Sequence, residues 1–308
     1  MGTEEGYNIY CRIEKYLDDI GVDLSFRNPV KDLIVNENKE IIGVVADKEY
    51  YSNKVIAAVG REGSDWLRGI CLKHDVEVET GDIDIGVRVE TRNEIMEELN
   101  ESMYESKLIY YSQTFDDKVR TFCSNPGGEV STEYYDNNLA VVNGHSYKSE
   151  DLKSENTNFA LLVSNKFTEP FKNSNEYGES VARLSNMLGG GVLVQRFGDL
   201  IKGRRSSERR MEKSFLRPTL NATPGDLSLV IPKRQLDDII EMIYALDKIA
   251  PGTANEDTLL YGVEVKFYNW QVEVNNTLET CIKGLYILGD SSGVTHSLSQ
   301  ASASGVHV

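Results

Sequence analysis

The chain is poor in the patterns that mark several common functional classes. Four cysteines, Cys11, Cys71, Cys123 and Cys281, are scattered through 308 residues without a Cys-x-x-Cys pair. That spacing speaks against a zinc site, a thioredoxin-like redox pair and a disulfide framework, so no metal is expected and each thiol reads as a small buried or half-buried side chain. No long uninterrupted hydrophobic run occurs and no signal peptide precedes Glu4, which excludes a membrane-spanning helix and makes the cytoplasm the expected location. Positive charge is in deficit, with 33 Lys and Arg against 49 Asp and Glu for a net −16. Over most of the surface this disfavours non-specific binding to nucleic acid or anionic membrane, and neither is an expected partner. Internal repeats and low-complexity segments are missing, as is any Gly-x-Gly-x-x-Gly turn, the fingerprint of a pyrophosphate-binding helix. Gly189-Gly190-Gly191 has the wrong spacing for it and follows Met187-Leu188 at the end of a helical pattern, so it reads as a helix C-terminal cap.

What is present is an interrupted α/β pattern of a length that holds about two domains. Tyr7 to Ile20 carries a helical stripe at Ile9, Ile13, Tyr16, Leu17 and Ile20 that stops at Gly21. Asp23 to Phe26, Val30 to Val35, Glu40 to Ala46 and Lys54 to Gly60 read as short strands. From about Gly81 the character changes. Ile83 to Glu90 alternates apolar and polar like a half-exposed strand, and tyrosine-rich strands follow near 107–112, 118–124 and 139–144. Helices are predicted over 179–188 and 236–249, and a strand over 259–267 follows the break at Pro251-Gly252. The expected organisation is a discontinuous domain of residues 1–80 and 271–308 with a β-rich α+β insertion at 81–270.

The segment Gly284 to Val308 carries the strongest functional signal. Leu285 to Leu288 is an apolar strand stopped by Gly289-Asp290, and Ser297 to Gly305 is a helix of small residues. A strand ending in Gly-Asp lets a ligand approach the backbone and offers a carboxylate to sugar or ribityl hydroxyls, while the helix N-terminus favours an electron-rich or anionic group. An ordinary strand-turn-helix corner has the same pattern. These residues resemble the C-terminal FAD motif of the glutathione-reductase-like flavoproteins, and GDSSGVTHSLSQASASG is similar to the group known only as FAD-dependent dehydrogenases. Stretches 81–90, 122–128, 142–147, 156–163 and 223–228 resemble the same group.

The resemblance implies a partial Rossmann-like FAD/NAD(P)-binding domain with an inserted substrate domain. It implies a cytoplasmic FAD-dependent oxidoreductase acting on a small molecule of unstated identity, with NAD(P)H as a candidate reductant. Asp290, after Gly289, would serve the ribityl chain, and Gln300, Ala301, Ser302 and Ala303 would lie beneath the flavin. Ala58-Val59-Gly60 stands where the family has Ala-Thr-Gly, so backbone contacts remain but a threonine hydroxyl does not. Val30 and Lys31 match the place where the family's backbone meets the adenine; a plain hairpin strand reads the same way. The family normally opens with the glycine-rich turn missing here, and Met1-Gly2-Thr3 matches the middle of its pattern. The chain is therefore read as a piece of a longer flavoprotein, expected to purify largely free of FAD and to be inactive alone.

Two features lie outside that reading. Arg196, Arg204, Arg205, Arg209, Arg210 and Arg217 crowd one stretch of an acidic chain. A solvated face accounts for such a run, and so does a clamp in which guanidinium forks grip phosphates or carboxylates. A tRNA-modifying or nucleic-acid-binding module using residues 196–217 is the alternative function. For catalysis His296, before the last helix, is the candidate proton donor, with His145 second.

Overall fold

The computed structural model describes residues 3–79, 81–103, 106–135, 138–167, 170–171, 173–267, 270–295 and 297–308. The chain opens with helix α1 (Thr3–Asp19), followed by three short strands, β1 (Asp32–Val35), β2 (Ile41–Val45) and β3 (Glu49–Tyr51). Next come β4 (Val55–Ala57), α2 (Ser64–Lys73), β5 (Val78–Glu79), β6 (Ile83–Arg92) and α3 (Asn93–Ser102). Strands β7 (Ile109–Tyr111), β8 (Lys118–Pro126), β9 (Glu129–Tyr135), β10 (Leu139–His145) and β11 (Asn156–Asn165) form a β-rich run, with one short 3-10 turn at Glu150–Leu152 before the last of them. Then follow α4 (Ser174–Gly189), β12 (Leu193–Arg196), α5 (Phe197–Ile201), α6 (Glu208–Met211), β13 (Thr223–Pro224), α7 (Lys233–Leu246) and β14 (Leu259–Phe267). The chain closes with β15 (Gln271–Val272), β16 (Leu285–Ile287) and α8 (Leu298–His307). No helix among the described residues is long and apolar enough to cross a membrane.

Two compact units result, one of Met1–Lys15, Ile83–Asn165 and Asn175–Lys266, the other of Tyr16–Asp82, Lys166–Ser174 and Phe267–Val308. The first is built on a seven-stranded mixed sheet of order β13-β12-β14-β6-β11-β8-β7. Ile83, Ile85, Val87 and Val89 of β6 are fully buried. Helix α7 packs on β6, β8 and β11 and buries Leu236, Ile239, Met242, Ile243 and Leu246. The expectation that β6 is half-exposed fails, because Asp84, Arg88 and Glu90 on its other face are buried too. That second face is covered by the β9–β10 hairpin, which lies against β6, β8 and β11. A polar strand face can be buried only if its groups find partners. Here Arg88 donates to both oxygens of Glu264 at 2.7 Å and to Asn158 at 3.0 Å.

The second unit holds the antiparallel sheet β1-β2-β3, the antiparallel pair β5–β15 and the parallel pair β4–β16. Leu67, Ile70 and Cys71 of α2 join Leu33, Ile41, Ala57, Leu285 and Ile287 in its core. Several local expectations are corrected. Asp23 to Phe26 forms no strand, β1 starts only at Asp32 so that Val30 and Lys31 precede it, and Lys54 to Gly60 is strand only over β4. Cys11 and Cys281 are exposed rather than buried, whereas Cys71 is buried and its thiol is pushed up to about 11 by burial, with Cys281 adding to the effect. Helix α4 ends at Gly189, and Gly190 follows at φ 67°, a left-handed conformation that suits a glycine cap.

Candidate functional site

Strands β4 and β16 run parallel, with Val55 opposite Leu285, Ile56 opposite Tyr286 and Ala57 opposite Ile287. Because they point the same way, both end at the same edge. The Leu288 N–H donates to the Ala57 carbonyl at 3.2 Å and carries the pairing one residue further. Two loops, 58–61 and 289–292, therefore emerge side by side. The C-terminal edge of parallel strands is where open α/β sheets gather ligands, since the chains part there and leave backbone groups accessible.

The loops are tied together by an ion pair in which Arg61 Nε donates to Asp290 Oδ2 at 2.8 Å, both side chains being partly exposed. Gly289 sits at φ 71° and is buried, with only the Ala301 Cβ near the place of a side chain; that conformation would strain any other residue. Gly60 has a similar φ of 64°. The Gly289 N–H donates to Ser304 Oγ at 3.0 Å and so binds the loop to α8. Ser297 caps α8 by accepting from the Gln300 N–H at 3.2 Å.

Of the residues singled out in the sequence, the structure brings Ala58, Val59, Gly60, Gly289, Asp290, Gln300, Ala301, Ser302 and Ala303 into the second unit, around this edge and the helix that follows it. Ala58, Gln300, Ser302 and Ala303 are exposed, and Val59 and Ala301 half-buried. Val30 and Lys31 lie in the same unit, and the Lys31 N–H donates to Val45 at 2.7 Å. His296 lies outside the described residues. His145 ends β10, opposite Glu129 in the hairpin of the other unit. Arg61 was not picked out by sequence reasoning. Its one signal is that it directly follows Gly60, while its partner lies 229 residues away.

This edge offers backbone at two glycines, a carboxylate, a guanidinium, and small or hydroxyl side chains on α8. A carboxylate accepts from sugar hydroxyls, a guanidinium donates to phosphate, and small side chains admit a flat ring. These residues fit FAD. No group of three or more His, Cys, Asp or Glu able to hold a metal occurs among the described residues.

The basic segment belongs to the first unit. Asp199, fully buried in α5, accepts from Arg204 Nε at 2.8 Å and from Ser206 Oγ at 2.8 Å, with Arg196 at 3.6 Å and Arg210 at 3.8 Å. Burial alone would raise its pKa, but the Ser206 and Arg204 hydrogen bonds and the Arg196 and Arg210 charges outweigh it and hold the carboxyl below the usual range. Arg196 also pairs with Asp257. Among the described residues, Arg205 and Arg217 donate only to backbone carbonyls, at 3.4 and 3.2 Å. Arg209 is exposed.

Across 330 aligned positions the chain is 26% identical to an uncharacterised protein of Clostridium beijerinckii. All of this chain aligns, and it spans about 60% of that relative's length. Residues 82–267, more than half of the chain, match the model of a family described as FAD-dependent protein, C-terminal domain-like, and they include the seven-stranded sheet. The chain thus belongs to the FAD-dependent protein, C-terminal domain-like family.

Proposed function

We propose that this protein is part of a cytoplasmic FAD-dependent oxidoreductase whose cofactor lies at the C-terminal edge of β4 and β16, in a Rossmann-like half-domain. The observation that carries the reading is the meeting of the Ala58 to Arg61 and Gly289 to Ser292 loops at one strand edge, locked by Arg61 and Asp290, in a chain whose family is named for FAD dependence. Bound FAD would supply hydride or electron transfer, and the protein's share is to hold and orient it. Asp290 accepts a hydroxyl of the ribityl chain, and Arg61 holds that carboxylate in place. The backbone of 58–60 approaches the cofactor without side-chain obstruction at Gly60. Ala301, Ser302 and Ala303 present small side chains beneath the ring, and Gln300 offers an amide. The substrate is a small molecule.

The nucleic-acid alternative has weaker support, since Arg196, Arg204 and Arg210 gather on acidic partners rather than forming an exposed stripe. Titrating FAD into the full-length protein that contains this chain and following flavin fluorescence tests the reading. Saturable quenching is expected, with Asp290→Ala binding less tightly by about 1.5 to 3 kcal/mol, the worth of a charge-assisted hydrogen bond. Equal affinity in wild type and variant removes Asp290 from the site, and no binding by wild type overturns the reading.

A further inference from the structure

Asp199 is an unusual anchor. It has no exposed surface, yet its two oxygens draw three arginines, Arg196, Arg204 and Arg210. Arg204 reaches it through Nε, which leaves both terminal amino groups of that guanidinium without a hydrogen-bond partner among the described residues. Arg210 approaches the same oxygen through its own Nε and spends Nη1 on the Arg205 carbonyl at 2.7 Å, leaving Nη2. With their Nε atoms at 2.8 and 3.8 Å from one carboxylate oxygen, the two guanidinium groups are held around the same buried anchor. They are 44% and 37% exposed, so their unused donors reach solvent.

The charges do not balance. Arg196 is shared with Asp257 and Lys202 is paired with Glu256, but the six cations Arg204, Arg205, Arg209, Arg210, Lys213 and Arg217 have only the three acids Asp199, Glu208 and Glu212 within their own stretch, with Glu256 adding attraction at Arg204. A merely solvated face needs no buried carboxylate to fix the heads of its cations. Crowding like charges costs energy unless an anion offsets it. A tetrahedral dianion takes several N–H donors from two adjacent forks, whereas a single carboxylate is satisfied by one.

We propose that Arg204 and Arg210, oriented by Asp199, form a binding site for the phosphate group of a small molecule, with Arg205 and Arg209 adding long-range attraction. The site lies wholly within one unit and is independent of the flavin reading. Its phosphate belongs to a small-molecule ligand held by this unit.

The probe is inorganic phosphate, titrated into the flavin-free full chain by calorimetry at constant ionic strength, with chloride as control. Saturable binding is expected, weakened at least tenfold in Arg204→Gln/Arg210→Gln and unchanged in Arg234→Gln. The charge-keeping pair Arg204→Lys/Arg210→Lys should lose several-fold by losing the forks, and it decides the matter if the glutamine pair does not fold. Non-saturable binding, equal binding by the lysine pair, or an equal loss in Arg234→Gln overturns the site. Binding of tRNA that the same variants weaken, without phosphate binding, overturns it in favour of a polymer.

Discussion

Arg88, Glu264 and Lys266 show how a single buried position decides stability. Arg88 and Glu264 have no exposed side-chain surface, and Lys266 reaches Glu264 at 3.1 Å. Burial would raise the Glu264 pKa, but the two cations outweigh it and lower the value. The stabilisation from a lowered carboxylate is therefore present above the usual carboxylate range and lost as pH falls through the folded pKa. Glu264→Gln strands two cations in the interior, and a loss of about 3 to 5 kcal/mol is expected in urea unfolding. Asp238 has the opposite sign. Burial pushes its carboxyl up to about 6, with the Asp117 charge adding to this and Ser112 and Arg234 opposing it. Between an ordinary carboxylate pKa of about 4 and about 6 the folded state holds the extra proton. Stability contributed by this group falls as pH rises through that window and levels off above it. Unfolding midpoints measured across the window should lose this slope in Asp238→Asn, and an unchanged slope would place its origin elsewhere.

At the scale of the element, the β9–β10 hairpin is what turns β6 into a doubly buried strand. Its contact with the sheet is so close at Gly144 that an added Cβ would fall on Asn158 Oδ1 and lie 2.6 Å from both Arg88 Nη1 and Asn125 Nδ2. None of these can retreat easily, because Asn158 and Asn125 are bonded to each other at 3.1 Å and Arg88 is held by Glu264. Gly144→Ala is expected to cost about 1 to 3 kcal/mol, in the range for overpacking, read as a lower urea midpoint. Gly6→Ala serves as a control, with nothing within 4 Å of the new Cβ. Equal costs at the two sites would mean that the hairpin shifts freely. In the other unit, α8 depends on its Ser297 cap and on the Ser304 bond to Gly289, so the loop carrying Asp290 and the helix behind it are set by the same few hydroxyls.

For the molecule as a whole, the sequence was readable where order is local. The patterns at 118–124, 139–144 and 259–267 lie within strands β8, β10 and β14, and the 3.6-residue stripes locate α4 and α7, because each pattern is set by residues only a few positions apart in the chain. Helices α2 and α3 escaped notice. The first is only ten residues long and interrupted by Gly69, and the second buries Met96 alone. Asp23 to Phe26 alternates like a strand but pairs with none, and pairing is not written in one segment. The Gly289-Asp290 signal was legible for the same local reason as the strand before it. By itself the sequence determined the acidic balance, the periodic elements and the glycine-terminated strands, since these depend on neighbours a few residues apart. Only the tertiary structure decided that Arg61 meets Asp290, that Arg88 is buried against Glu264 and that three arginines share Asp199. Desolvation and Coulomb attraction depend on distance in space, and the partners of the first two lie 229 and 176 residues apart in the chain.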